Sequence, residues 1–200
     1  MRFLGLTPDQ MPAPRRPLPG VGYSMGYGAL CLGVVSVVAY SIWAFRLIPG
    51  TAAMYTATAA VYVGLGGWAL GRLVPAPGTA ARVAGLFALG FVAYAAVWCL
   101  FWFGLRGKHH ADLYGALFGL GAMTWLVRRA FGRQGGMLEA WAVLFACHTL
   151  GYTLGDDAYA LVRGTTGRLL WGAAHGVGFG LGLGYLLRDC QRPDPPATAG

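Results

Sequence analysis

Six apolar stretches without a single charged residue follow one another along this 200-residue chain. A helix needs about 20 residues to cross a hydrocarbon core of about 30 Å, and four of the stretches reach that length unaided. The strands of a transmembrane barrel alternate apolar and polar residues, whereas these stretches are continuously apolar. The pattern therefore predicts an all-α membrane protein with six transmembrane helices, over Tyr27–Phe45, Leu47–Gly71, Val83–Leu105, Leu113–Val127, Ala140–Gly155 and Leu169–Leu187.

The fourth and fifth stretches, Leu113–Val127 and Ala140–Gly155, are the short ones. We expect them to span if flanking charged side chains snorkel towards the membrane surface, or if neighbouring helices shelter their ends. The flanking residues in question are Arg128, Arg129 and Glu139.

Composition excludes a soluble protein. Hydrophobic residues make up 56% of the chain and charged residues 11%, against about 25% charged residues in a typical soluble domain. The 15 Lys and Arg residues outnumber the 7 Asp and Glu residues, but they are scattered between apolar stretches rather than gathered as in a nucleic-acid binder. The expected partner is the lipid bilayer, with assembly into a homo-oligomer or a membrane complex left open.

Basic residues also predict the orientation. Positive side chains accumulate on the cytoplasmic side of membrane proteins, and the larger group here lies on the side of both termini. The sequence thus predicts a multi-pass inner-membrane protein with cytoplasmic termini. The larger group is Arg2, Arg15, Arg16, Arg72, Arg82, Arg128, Arg129, Arg133, Arg188 and Arg192; the smaller is Arg46, Arg106, Lys108, Arg163 and Arg168.

Three regions follow from this layout. Residues 1–25 are proline-rich, lack the apolar core of a secretory signal, and are expected to form a cytoplasmic N-terminal arm. Residues 26–190 are expected to form the six-helix domain, and residues 191–200 a flexible cytoplasmic tail.

Short matches recur along the chain at a spacing of about 57 residues. The segment Leu113-Tyr114-Gly115-Ala116 recurs as Leu170-Trp171-Gly172-Ala173, and Leu86-Phe87-Ala88 with Tyr94 recurs as Leu144-Phe145-Ala146 with Tyr152. These matches predict three tandem helical hairpins arranged around an axis along the membrane normal.

The sixth stretch carries glycines four residues apart, at Gly172, Gly176, Gly180 and Gly184. Small residues at this spacing let helix backbones approach closely. We interpret the glycine face as a packing surface, within the chain or between protomers; a groove for a planar ligand is the alternative.

Two histidines lie inside the fifth and sixth stretches. His148 and His175 lie at matching depths on consecutive antiparallel helices, so they can face each other. Three interpretations remain open: a neutral pair hydrogen-bonded to a carbonyl group or to Tyr152, a relay for protons or substrate, and ligation of a b-type haem or a metal.

Polar residues of two loops on the opposite side from the termini form a second candidate site. One loop contributes Arg106, His109, His110 and Asp112, and the other contributes Asp156 and Asp157. The imidazoles and carboxylates could hold a divalent cation. The alternative is a solvated loop in which Asp156 or Asp157 pairs with Arg106 or Arg168.

Enzyme signatures are missing from the sequence. The segment Ala174-His175-Gly176 is similar to the histidine helix of rhomboid-type intramembrane proteases, but none of the three serines lies in the turn that holds the family's nucleophile. The four cysteines form no Cys-x-x-Cys motif, and no phosphate-binding glycine motif follows a strand.

The sequence thus favours a non-enzymatic membrane protein that moves or senses a small solute or proton through its third hairpin. A b-type haem or metal-binding redox subunit is the first alternative. A structural subunit that packs through its glycine face is the second.

Overall fold

The computed structural model describes residues 4–14 and 16–192, and within them the regular structure is helical throughout. There are six helices in this part of the chain, and three of them, α1, α3 and α6, are long and apolar enough to cross a membrane. The apolar composition thus leads to a helical membrane protein. The helices are α1 (Val21–Ala44), α2 (Thr51–Gly71), α3 (Ala80–Gly104), α4 (Ala111–Ala130), α5 (Met137–Val162) and α6 (Gly164–Cys190).

Proline, glycine and left-handed residues separate the helices. Pro49 and Gly50 precede α2, and Gly50 has a φ of 85°. Helices α5 and α6 are separated by Arg163 alone, whose φ of 52° turns the chain back on itself. Such a turn ends the i to i−4 hydrogen-bond ladder at once, so α5 and α6 form a tight antiparallel hairpin.

The helices form a closed ring in chain order. Each helix packs against the next one along the chain, and α6 returns to pack against α1. Alternate helices run in opposite directions, which gives the bundle two ends. We call the end with the start of α4 the Asp112 end and the opposite one, with the end of α4, the Arg128 end.

Helix α6 has glycines on two faces, and each face meets a different neighbour. A Cβ atom added to Gly180 would lie 2.1 Å from the carbonyl oxygen of Gly28 in α1. One added to Gly178 would lie 2.4 Å from the carbonyl oxygen of Cys147 in α5. Both faces are therefore occupied by helices of the same chain, and backbones lie almost in contact on each side.

The four glycines of the face towards α1 follow that helix along its length. A Cβ atom added to Gly172 would meet Tyr40, and one added to Gly176 would meet Leu32 and Ser36. One added to Gly180 would meet Gly28, and one added to Gly184 would meet Ser24. Residues 24, 28, 32 and 36 are themselves four apart, so two straight stripes lie against each other.

The fourth and fifth helices are longer than the apolar stretches from which they were predicted. Helix α4 has 20 residues and α5 has 26, or about 30 and 39 Å at 1.5 Å per residue. Both extend into flanking charged segments, because helix formation is not restricted to uncharged residues. Length therefore does not limit either helix as a span.

Arg128 does not snorkel but is sheltered by a neighbouring helix, the second of the two possibilities for this end of α4. Its side chain is buried and forms an ion pair with Asp189 of α6, also hydrogen-bonded, at the Arg128 end. A carboxylate inside the bundle keeps the guanidinium there, because a charge-assisted hydrogen bond replaces its lost hydration. Arg129 and Glu139 are exposed, and the Tyr185 hydroxyl donates a hydrogen bond to Glu139.

The N-terminal segment packs against the Arg128 end. Leu6 is fully buried in the core cluster of that end, which also contains Phe131. The Arg82 guanidinium donates a hydrogen bond of 3.0 Å to the carbonyl of Gly5. Helix α1 begins at Val21, five residues before the expected start at residue 26; of the expected tail 191–200, residues 193–200 lie outside the described part of the chain.

Candidate functional site

His148 and His175 are in direct contact in the interior of the ring. Their Nε2 atoms are 3.2 Å apart, and the two ring planes are nearly perpendicular, at 84°. His148 is 1% exposed and His175 is 7% exposed. The structure therefore brings together the two histidines that the sequence singles out, without a residue between them.

The glycines between α5 and α6 set this short distance. A Cβ atom added to Gly151 would lie 2.6 Å from the carbonyl oxygen of Ala174, the residue before His175. Gly178 approaches Cys147, the residue before His148, in the same way. Because the two backbones nearly touch on either side of the histidines, the imidazole rings reach each other directly.

Tyr94 of α3 is the third member of the site, and the sequence prediction named a different tyrosine. Its hydroxyl is 3.1 Å from Nε2 of His148. Tyr152 lies one turn further along α5 and stacks on His148, with ring centroids 6.3 Å apart. The sequence contains a signal for Tyr94, since this residue corresponds to Tyr152 in the expected repeat, but the signal does not say which tyrosine reaches the histidine.

Aromatic rings surround the pair. Trp171 stacks on His175 with centroids 5.1 Å apart and planes 19° from parallel, and Phe179 lies against both histidines. Tyr40 and Tyr62 approach His175 from α1 and α2. The histidines are thus held in a largely aromatic surrounding.

One nitrogen of each histidine has no hydrogen-bond partner. Among residues 4–14 and 16–192, the buried Nδ1 atoms of both His148 and His175 lack a donor or acceptor. Buried polar atoms without a partner are uncommon in folded proteins. The two Nε2 atoms are therefore within hydrogen-bond distance of each other, whereas the Nδ1 atom of each ring has no hydrogen-bond partner in the described residues.

This geometry does not fit a haem iron held between the two rings. Two bonds of about 2.0 Å to an iron with the imidazoles on opposite sides would separate the Nε2 atoms by about 4 Å, whereas they are 3.2 Å apart. No group of three His, Cys, Asp or Glu side chains in the described residues could hold a metal ion. The two imidazoles lie within hydrogen-bond distance of each other.

A cavity leads from the Asp112 end to His148. It has a volume of about 290 Å³ and lies between α3, α4 and α5. His110 and Asp112 lie at the start of α4, and Thr149 and Tyr152 lie beside His148 on α5. The Oγ1 atom of Thr149 is buried and has no partner in the described part of the chain, so the cavity wall includes an unsatisfied hydroxyl.

The remaining loop residues are not gathered around a common centre. Arg106 and His109 are exposed in the turn between α3 and α4, each with a positive φ. Asp157 is exposed at the end of α5 and does not line the cavity. Of the six residues proposed for an outer-loop site, only His110 and Asp112 share the cavity with His148.

Asp156 has a partner other than the predicted arginines. Its carboxylate accepts a hydrogen bond of 2.6 Å from the indole N–H of Trp171. Arg168 instead lies over the ring of Trp43 and donates to the carbonyl of Ala44. Since Trp171 also stacks on His175, Asp156 orients a ring that covers the histidine pair.

The chain matches no protein-family model, no curated protein and no solved structure. Its function is therefore inferred from the geometry of the two histidines and of the cavity beside them.

Proposed function

We propose that this protein is a six-span inner-membrane protein that conducts or senses protons through its third helical hairpin, α5 and α6. The proposed conducting group is the chain formed by Tyr94, His148 and His175. The closed ring of helices supports an arrangement of three tandem hairpins around this centre.

One observation carries the proposal. The two histidines touch through Nε2, at 3.2 Å, while each Nδ1 atom is open among the described residues. A neutral imidazole has one nitrogen that donates and one that accepts. Two rings joined in this way can pass a proton from the open nitrogen of one to the open nitrogen of the other.

The transfer has three linked movements. His148 starts with a bare Nδ1, and its Nε2–H donates to the bare Nε2 of His175. A proton from the cavity binds Nδ1 of His148, the proton on its Nε2 moves to Nε2 of His175, and the proton on Nδ1 of His175 passes to a water molecule that must reach this buried nitrogen. One proton enters and one leaves, and both rings must then exchange tautomers before the next transfer.

Tyr94 serves both tautomers of His148. A hydroxyl group can donate or accept a hydrogen bond. Before the transfer, the Nε2–H of His148 donates a hydrogen bond that is shared between His175 and the Tyr94 hydroxyl oxygen. After the transfer, the Tyr94 O–H donates to the bare Nε2 of His148. At 3.1 Å from that nitrogen, it stabilises the state in which the proton has already moved on.

The test is proton flux into proteoliposomes that contain the full chain, measured with a trapped pH-sensitive dye under an imposed potential. We expect His148→Gln and His175→Gln each to lower the flux at least about a hundredfold, because glutamine hydrogen-bonds but does not relay protons. The double variant should be no slower than either single variant, because one broken link already interrupts the chain.

His109→Gln is the matched control, since His109 is an exposed loop histidine outside the cavity. It should conduct like the unchanged protein. Equal flux for all variants would contradict the relay, as would a Soret band in the purified protein, which would assign the histidines to haem.

The histidine pair should also be coupled in stability. If the two rings share one hydrogen bond, the effects of His148→Ala and His175→Ala on the free energy of unfolding should be non-additive by about 0.5–3 kcal/mol. Detergent melting of the two single variants and the double variant measures this coupling. Additive effects would mean that the two rings do not interact in the membrane.

The six-span arrangement predicts the location of two loops. A reporter fused after Arg133 should report the cytoplasm, and one fused after Gly164 should report the periplasm, because α5 lies between them. Alkaline phosphatase and green fluorescent protein fusions measure this directly. The same compartment for both fusions would rule out the six-span model.

A further inference from the structure

The cavity between α3, α4 and α5 contains an acid without a counter-charge. Asp112 lies half-buried in the first turn of α4 and lines the cavity. The described residues provide it with no ion pair, although the chain carries 15 Lys and Arg residues. A carboxylate that is partly removed from water and left unpaired favours a cation beside it.

Two residues of the cavity wall carry acceptors that no described protein group uses. Oγ1 of Thr149 and Nδ1 of His148 are both buried and without a partner in the described residues. His148 is 1% exposed, so its unpartnered nitrogen lies in the interior of the protein and not at a solvated surface. A ligand that donates hydrogen bonds supplies what these two acceptors lack.

Aromatic and apolar surface completes the wall. Trp98 and Tyr152 supply ring surface from α3 and α5, and Leu113 and Ala116 supply aliphatic surface from α4. Aromatic rings attract organic cations through the negative face of the π system. The volume of about 290 Å³ is at the lower limit of ligand pockets, so the ligand is small.

We infer that this cavity binds a small primary ammonium ion. Its charge is balanced by Asp112, its N–H groups donate to the carboxylate and to unpartnered acceptors of the cavity wall, and its short alkyl group lies against Trp98 and Ala116. The inference rests on the proposed function in one respect, since it places a protonated ligand in the cavity that His148 of the proposed relay lines.

Calorimetric titration of the full chain in nanodiscs with propylammonium chloride, at constant ionic strength, tests the inference. We expect saturable binding of one ion per chain. Asp112→Asn should weaken binding at least about tenfold, because it removes the charged acceptor. Asp157→Asn should leave it unchanged, since Asp157 is an exposed carboxylate near the same end of the bundle and lies outside the cavity.

Two further probes separate charge from hydrogen bonding. Tetramethylammonium has the charge without an N–H donor and should bind more weakly than propylammonium. Neutral 1-propanol should not bind. Thr149→Val keeps the shape of the side chain and removes its hydroxyl, so it should weaken propylammonium binding about threefold or more even if Asp112→Asn fails to fold.

Absence of saturable binding, equal binding of 1-propanol, or unchanged affinity in both Asp112→Asn and Thr149→Val would overturn the ammonium site. Competition by sodium at equal concentration would also overturn it, in favour of a metal cation. Each of these results leaves the flux test of the histidines intact. Conversely, normal propylammonium binding by a protein whose proton flux ignores His148 and His175 would refute the relay alone.

Discussion

Replacing Gly180 by leucine is expected to destabilise the protein by more than about 3 kcal/mol or to prevent its assembly. An added Cβ atom at this position lies 2.1 Å from the carbonyl oxygen of Gly28, and that oxygen belongs to the backbone of α1. A backbone cannot rotate away as a side chain can, so α1 must separate from α6 along its length. Gly180→Ala should already be destabilising, because the clash begins with Cβ.

Gly64→Leu is the matched control for this prediction. Gly64 lies inside helix α2, is exposed, and would place an added Cβ atom in open space. The two variants share the same chemical change in a helix interior, and only the neighbouring backbone differs. Detergent melting together with the oligomeric state measures the effect; an unchanged melting temperature for Gly180→Leu would mean that α1 and α6 are not packed as described.

Replacing Arg128 by methionine is expected to cost about 3–5 kcal/mol, because it leaves the carboxylate of Asp189 inside the bundle without its main partner. Arg128 is 2% exposed, and among the described residues Asp189 has a second, longer ion pair with Arg192, at 3.9 Å. Denaturant titration in mixed micelles measures the loss. Arg129→Met, at the exposed neighbouring position, should change stability by less than about 1 kcal/mol.

The double variant Arg128→Met, Asp189→Leu should recover most of the lost stability. Buried ion pairs can often be replaced as a whole by apolar residues, because the desolvation of both charges is removed together with their attraction. A double variant as unstable as Arg128→Met alone would mean that the pair does not act as a unit. Recovery would show that the pair fixes α4 against α6 and is not required for folding.

The two faces of α6 have different consequences for function. The face towards α1 contains close contacts with backbone and small side-chain atoms of that helix and determines whether the ring closes. The face towards α5 also brings His148 and His175 together. Substitutions at Gly178 or Gly151 should therefore disturb the histidine contact, whereas those at Gly180 or Gly184 disturb the bundle as a whole.

Several features were predictable from the sequence because they depend on neighbours along the chain. Uncharged apolar stretches predict helices, and proline, glycine and their surroundings predict where the helices end. The matching depths of His148 and His175 follow from their distances to the charged residues that end the two apolar stretches, since His148 precedes Asp156 by eight residues and His175 follows Arg168 by seven. The glycine spacing predicts a close helix contact, but it does not name the helix that makes it.

The tertiary structure decided which faces meet. Gly180 packs on Gly28, more than 150 residues away in the chain, and no periodicity within α6 contains that information. Tyr94 rather than Tyr152 binds His148, because α3 faces the histidine across the ring while Tyr152 only stacks on it from the same helix. Arg128 turns inward because Asp189 of α6 lies opposite it.

The sequence by itself thus determined the class of the protein, its helices and the two histidines, since these depend on local composition and on the fixed geometry of a helix. Only the tertiary structure decided the partners of Arg128, Gly180 and His148. Partner choice depends on the order and rotation of helices around the ring, and these follow from the sum of contacts between segments far apart in the chain.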